Sequence, residues 1–294
     1  MRVDFHVHST ARDGTVAPAA LAAAADGFAA IALTDHDNCD GVGAFLAAPA
    51  DGACRRVAGI ELSIDPGEGF DTFHLLGLGV DPADARLRAF LRRILDGRNA
   101  RNARILANFA RLGIEIAADD IAAYAHGEVL ARPHFAAWLV RHGYARDVLD
   151  AFARYLLPDS PAATRCYESR WHPPQDEAFA VVHAAGGLCV MAHPKFWRRA
   201  WKTAGVDYEA AARGLAALKE RGLDGVEALY QANAPAENVA FVRIATSLGY
   251  LKSAGSDFHG ANKPHIALGM EVSESFIAPL LERLPSRDAA STGS

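Results

Sequence analysis

Apolar and polar positions alternate without a break at the start of the chain, where Val3, Phe5 and Val7 interleave with Asp4, His6 and His8. A period of two marks a strand whose successive side chains face opposite ways, so His6 and His8 look in one direction. Farther on, the pattern becomes a series of apolar runs that end in polar residues and are mostly separated by helix-forming stretches. Ala19 to Ala25 reads as a helix stopped at Asp26-Gly27, and "FAAIALTDHD" follows as a strand. A helix near residues 40–48 precedes strands in "RRVAGIELSI" and "TFHLLGLGV". The second half repeats the order: helix 175–185, strand "LCVMAH", helix 207–221, strand "GVEALY", helix 236–248 and strand "YLKSAGSD". About seven strands with helices between most of them predict parallel βαβ units buried on both faces. The fold class expected is α/β, a closed or nearly closed β/α barrel.

Between roughly Gly97 and Arg170 the strand signal disappears and arginine-rich helical sequence takes over, as in "RNARNARILANFARLGI". This predicts a helical insertion over residues 98–170, with the barrel built from residues 1–97 and 171–294. The insertion carries ten arginines and no lysine against eight acidic residues, while the whole chain has a net charge of -5. An acidic chain is a poor general coat for nucleic acid, but a small anionic substrate is compatible with a local basic pocket.

With 51% hydrophobic and 22% charged residues, the 294-residue chain has an ordinary globular composition and ample material for a large core. The four cysteines, Cys39, Cys54, Cys166 and Cys189, form no CxxC pair, and no basic-then-apolar leader precedes the first strand. The Ala-rich stretch Ala17 to Leu33 is broken by Asp26 and Gly27, and no stretch is long and apolar enough to span a bilayer. A reduced, cytoplasmic protein is expected, with no membrane and no obligate protein partner evident.

In a β/α barrel, side chains at the carboxyl ends of the strands converge on one rim. This sequence places His6 and His8 at the end of its first strand, Asp35 and His36 at the second, Glu61 in the third, His74 in the fourth and His193 after the fifth. The sixth leads to Glu227 and Tyr230, and the seventh ends in Asp257 and His259. Nearly every strand thus delivers a potential metal ligand to one rim, which predicts a multinuclear metal site. His126, His142, His172, His183 and His265 fit no ligand position.

The set "DFHVHS", "TDHD", "GIELS", "FHLLGLG", "AHP" and "GSDFH", spanning the chain in this order, resembles the PHP (polymerase and histidinol phosphatase) family of metal-dependent phosphoesterases. The resemblance is to its stand-alone bacterial members, nucleoside 3',5'-bisphosphate phosphatases and the 5'-to-3' exoribonuclease RNase AM. It implies a distorted (β/α)7 barrel with a helical insertion carrying an "RPHFA"-like motif, here Arg132 to Ala136. It also implies two to three divalent metals, with manganese favoured and zinc or iron compatible. His6, His8, Glu61 and Asp257 would hold the first; Asp13, His36 and His259 the second; Glu61, His74 and His193 the third, with Glu61 bridging. Catalytic roles would fall on Asp257, His193 and Glu61. Three dications against Asp13, Glu61 and Asp257 leave a cationic site that attracts phosphate and makes hydroxide available near neutral pH.

Asp35 is expected to orient a ligating histidine. For substrate binding the candidates are Arg132 and His134 in the insertion, Lys195, Arg198 and Arg199 after "AHP", and Gln231 and Asn233 after the sixth strand. The implied reaction removes the 3'-phosphate of a nucleoside 3',5'-bisphosphate of the adenosine type, with exonuclease action on short 5'-phosphorylated RNA as a second activity of the same site. Histidinol-phosphate phosphatase is the alternative within the same chemistry. A non-catalytic accessory module is the alternative outside it, and no matched ligand position has been lost to an apolar residue.

Overall fold

The computed structural model of the chain describes residues 1–49, 52, 54–67, 71–122, 124, 130–198 and 204–285. The chain divides into two compact units, residues 1–91 with 172–294, and residues 92–171. The first division falls within one unbroken helix, α3 (Ala85–Arg111), rather than at residue 97.

In the first unit β1 (Arg2–Val7), β2 (Ala30–Leu33) and β3 (Arg55–Ile64) run parallel, as do β5 (Leu188–Met191), β6 (Gly225–Tyr230) and β7 (Leu251–Gly255). Between these two groups β4 (Phe73–Leu78) is antiparallel to both neighbours, which departs from the all-parallel arrangement expected of the strands. The cause is local. Only eight residues, 65–72, separate β3 from β4, and a short connection joins antiparallel neighbours, whereas a parallel crossover needs a dozen or more residues. A two-residue strand, β8 (Met270–Glu271), pairs antiparallel with β1 at the edge of the eight-stranded order β7-β6-β5-β4-β3-β2-β1-β8. The barrel closes where the end of β1 meets the residues after β7: Asp257 donates its N–H to His6 O, and His8 donates to Phe258 O, both at 2.9 Å.

Helices fill the connections. α1 (Pro18–Ala24) and α2 (Val42–Ala47) lie between the first three strands. Pro18 sits in the first turn of α1, where its missing N–H would have had no helical partner. Val3 and Phe5 join an inner apolar cluster with Leu76, Val190, Ala254 and Leu280. Val7 instead packs with Leu21, Leu33 and Phe45 in an outer cluster. The change of side coincides with a register shift between Asp4 and Val7, a bulge that re-aims the strand end and turns His6 and His8 toward the barrel mouth.

The second unit holds most of α3, with α4 (Ala118–Ala122), α5 (Arg132–Arg141), α6 (Val148–Ala151) and a single π-turn at Phe152–Leu156. It has its own core of Ile105, Phe109, Phe135, Trp138, Leu139 and Tyr155.

Candidate metal centre

The parallel strands bring their carboxyl ends to one rim, and because β4 runs the other way, its first residues reach that same rim. His74, second in β4, pairs across the ladder with Ser63 and so stands beside the end of β3. His6 ends the bulged part of β1, Glu61 lies inside β3, and His36, His193, Asp257 and His259 follow β2, β5 and β7. Two of these residues have left-handed backbone, His193 at φ 26° and Asp257 at φ 60°. Strained backbone of this kind persists where surrounding contacts hold it, and it concentrates at functional sites.

Glu61 is the hub. Its Oε1 lies 2.8 Å from His74 Nδ1, 3.2 Å from His6 Nε2 and 3.2 Å from His193 Nε2. Its Oε2 lies 2.8 Å from His36 Nδ1 and 3.3 Å from His8 Nε2. Asp257 Oδ1 faces His8 Nε2 at 3.3 Å, His259 Nδ1 at 3.4 Å and His6 Nε2 at 3.6 Å. Asp13, half exposed, approaches His8 and His259 at 3.7 Å and His36 at 3.8 Å. All nine ligand candidates therefore meet, but in overlapping rather than separate sets. Donor atoms lie within 4.8 Å of one another in the groups His6-His8-Asp257, His6-Glu61-His193, His36-Glu61-His74 and His8-Asp13-His36-His259.

The electrostatics of these side chains by themselves are those of a crowded ion-pair cluster. Burial works against ionising Glu61, but the rings of His36, His6 and His74 hold its carboxyl well below the usual range. Burial likewise opposes ionisation of Asp257, and His6 and His8 overcome it. Conversely, burial disfavours charge on His6 and His8, yet the neighbouring carboxylates raise both rings, His8 to about 9. His259 is pushed down, first by burial and then by the His8 charge.

The donor set fits divalent cations. His6 Nε2, both ring nitrogens of His8 and Glu61 Oε2 are buried without a hydrogen-bond partner among the described residues, and the close approaches between them lack hydrogen-bond alignment. Each such group left unsatisfied costs about 1–3 kcal/mol, a cost that coordination to a cation removes. Imidazole nitrogens with carboxylate oxygens suit manganese, iron or zinc.

Around this cluster, carboxylates lock the strand ends. Asp35, expected to orient a ligating histidine, does something else: Oδ1 accepts the Ser9 N–H at 2.7 Å and Oδ2 accepts the Ser9 hydroxyl at 2.6 Å. It fixes the backbone just past His8, because its side chain reaches the next residue and not the ring. Asp4 repeats the device on Ser256, beside Asp257, with bonds of 2.9 and 2.6 Å. Burial pushes the Asp4 carboxyl up to about 6. Asp257 Oδ2 accepts from the Tyr230 hydroxyl at 2.9 Å and from Lys263 Nζ at 2.5 Å. Glu227 touches both His6 and the backbone of His193. Glu227 carries a sequence signal, a carboxylate inside an otherwise apolar strand, and Asp4 shares the polar face of the alternating first strand. Lys263 carries none.

The expected substrate residues are placed differently. Lys195 Nζ donates to Glu237 at 2.9 Å and to Ala232 O at 3.1 Å. Gln231 spends its amide on backbone, donating to Ala267 O at 3.0 Å and accepting from Ala267 N at 2.7 Å. Asn233 donates to Asn238 at 2.9 Å. Arg198 lies half-buried just beyond the 3₁₀ turn Pro194–Phe196, and Arg199 falls outside the described residues. In the helical unit Arg132 opens α5, donates to Leu156 O at 3.3 Å and lies 5.4 Å from the Tyr167 ring centre. His134 caps the same helix, its Nδ1 accepting the Ala131 N–H at 3.1 Å. Of the histidines expected to fit no ligand position, His142 stacks on Trp138 and donates to its carbonyl, His183 pairs with Asp224 at 2.7 Å in a further donor group with Cys189, and His126 falls outside the described residues.

No protein-family model matches the chain. It is 32% identical to the 3',5'-nucleoside bisphosphate phosphatase of Chromobacterium violaceum, over 87% of each chain. It is 29% identical to the 5'-3' exoribonuclease Rnm of Escherichia coli, over 92% of this chain and 88% of that one. Among solved structures, a proposed metal-dependent phosphoesterase from Bifidobacterium adolescentis superposes with a TM-score of 0.76 at 26% identity, covering 97% of both chains.

Proposed function

The chain belongs to the PHP family of metal-dependent phosphoesterases, and on that premise we propose that it removes the 3'-phosphate from nucleoside 3',5'-bisphosphates to give the 5'-monophosphate. It is a hydrolase acting on phosphoric ester bonds. One observation supports the reading above the rest: five imidazole nitrogens from four strand ends stand within 3.3 Å of the Glu61 carboxylate. His6, His8, Asp13, His36, Glu61, His74, His193, Asp257 and His259 would hold two to three divalent cations, with manganese proposed. When bound, such cations polarise the phosphoryl oxygens and supply hydroxide near neutral pH. The chain's own part is positioning. Buried ligands on rigid strand ends need no reorganisation as charge develops on phosphorus, and the Tyr230 and Lys263 donors keep the second oxygen of Asp257 occupied, leaving Oδ1 toward the rings.

For the non-reacting phosphate the proposed contacts are Arg132 and His134, with Arg198 as a further cation. A guanidinium binds phosphate through paired donors. Binding energy from a remote phosphate is the usual means of orienting the reacting one. The likeness to the Escherichia coli exoribonuclease favours a second substrate, short 5'-phosphorylated RNA, at the same site.

The test is phosphate release by manganese-loaded protein from adenosine 3',5'-bisphosphate, with AMP and histidinol phosphate in parallel. Strong preference for the bisphosphate is expected. Preference for histidinol phosphate would keep the metal chemistry and overturn the substrate.

A further inference from the structure

Glu227 sits inside β6, fully buried, and spends its two carboxylate oxygens on two other strands. Oε1 lies 3.0 Å from His6 Nδ1, at the end of β1, and Oε2 accepts the backbone N–H of His193, after β5, at 2.6 Å. Both oxygens act as acceptors, so the proton of the first bond belongs to His6 Nδ1. The Nε2 atom of His6 is then left toward Glu61 and Asp257, without a hydrogen-bond partner of its own among the described residues. An imidazole that donates to a carboxylate through one nitrogen is fixed in tautomer and orientation and is a stronger base at the other.

The second bond works on backbone. At φ 26° His193 holds a conformation that residues with a Cβ rarely adopt, and the short bond from its N–H to Glu227 opposes relaxation. In that conformation His193 Nε2 stands 3.2 Å from Glu61 Oε1. Gly255 of β7 supplies the space, since a Cβ there would collide with Glu227 Oε1 and with the Cβ of His6.

From these contacts we infer that Glu227 is a positioning residue of the metal centre, one carboxylate that sets the tautomer of His6 and the backbone of His193 so that both Nε2 atoms are presented to a cation. The inference rests on the reading above only in treating the cluster as a metal centre.

Manganese affinity of folded Glu227→Gln, compared with the parent chain, tests it. Glutamine keeps the size but offers one acceptor oxygen in place of two, so one of the two N–H groups loses its partner. The expected result is a tenfold to hundredfold weaker affinity, on the order typical for such outer partners, with far-ultraviolet circular dichroism unchanged. Parent-like affinity, with or without a loss of thermal stability, would overturn the role. Should the variant fail to fold, the tautomer is read in the unmodified chain: nitrogen NMR of zinc-loaded, histidine-labelled protein should show the His6 proton on Nδ1, and a proton on Nε2 would overturn the inference. Neither readout involves phosphoester turnover. Binding as described without hydrolysis would overturn the proposed function and leave Glu227 in place, whereas parent-like metal affinity in Glu227→Gln would do the reverse.

Discussion

Tyr230 donates its hydroxyl to Asp257 Oδ2 across 2.9 Å, on the side of the carboxylate turned away from His8. The bond spans two strand ends and fixes which oxygen the rings see. Removing the hydroxyl with Tyr230→Phe leaves Lys263 as the remaining donor on Oδ2. The variant should fold, and its phosphate release at saturating metal should fall by about tenfold, near the lower end for an outer partner. Turnover equal to the parent would show that Lys263 alone suffices.

Asp257→Asn preserves shape and removes the charge that faces His6, His8 and His259. A folded protein with nearly abolished turnover and lowered metal content is expected, read by elemental analysis beside a phosphate assay. Normal metal content together with normal turnover would remove Asp257 from the centre.

The cluster makes a pH prediction for protein stripped of metal by a chelator. His8 is raised to about 9 from an ordinary 6.5, and His6 is raised too. A raised folded value means the fold favours the protonated ring, so this stabilisation is complete below pH 6.5 and lost as pH climbs through about 9. Glu61 and Asp257 are lowered from 4.5 and 3.8, so their stabilisation is present above those values and lost on acidification. The contribution of these four groups to the melting temperature of the stripped protein should therefore be fullest between about pH 4.5 and 6.5 and decline toward pH 9, while the lowered His36 and His259 work the other way, their cost being shed as pH rises through 6.5. Metal affinity should rise over that same alkaline window, because a cation must displace the ring protons. Thermal scans with and without manganese across the range would show the two trends crossing, and parallel curves would contradict them.

Arg132→Ala should separate substrates. Loss of a charge-assisted contact to a second phosphate costs about 1.5–3 kcal/mol, roughly tenfold to hundredfold in kcat/KM for a bisphosphate. A simple monoester lacks that phosphate and should be nearly indifferent. Equal losses on both would count against a remote contact from this residue.

The thiols should be silent in the native state. Burial, followed by the nearby Asp40 and Asp35 charges, pushes Cys39 up to about 12, burial raises Cys166 to about 11, and Cys189 is raised as well. Since the thiolate is the reactive form, iodoacetamide at pH 8 should leave these three unmodified in folded protein and label them after denaturation. Mass spectrometry of the two samples decides it, and fast native labelling of Cys166 would mean the helical unit opens readily.

Much of the centre is legible in the sequence because its ligands are chemically conspicuous. Two histidines at period two, or a His-Pro after an apolar run, stand out in strands otherwise made of Val, Ile, Leu and Ala. The direction of β4 is less legible, since apolar pattern is blind to strand polarity and only the shortness of the connection from β3 reveals it. Asp35 shows a different limit. Its position at a strand end is readable, but whether a carboxylate meets a ring or a serine past the neighbouring strand depends on register, here altered by the bulge in β1. Gln231 and Asn233 look like free hydrogen bonders in the sequence, and only the folded loop after β6 shows the Gln231 amide engaged at both ends and the Asn233 NH2 spent on Asn238.

The barrel closes by joining its first strand to the residues after its last: Asp4 and Ser256 are 252 positions apart. At a synthesis rate of about 5–20 residues per second, His6 and His8 wait roughly ten to fifty seconds before Asp257 exists to face them. In that interval the histidine pair has Asp13 and Glu61 but not Asp257. The complete ligand set therefore exists only once β7 and the residues just after it are made, and a chain ending short of β7 lacks both Asp257 and His259.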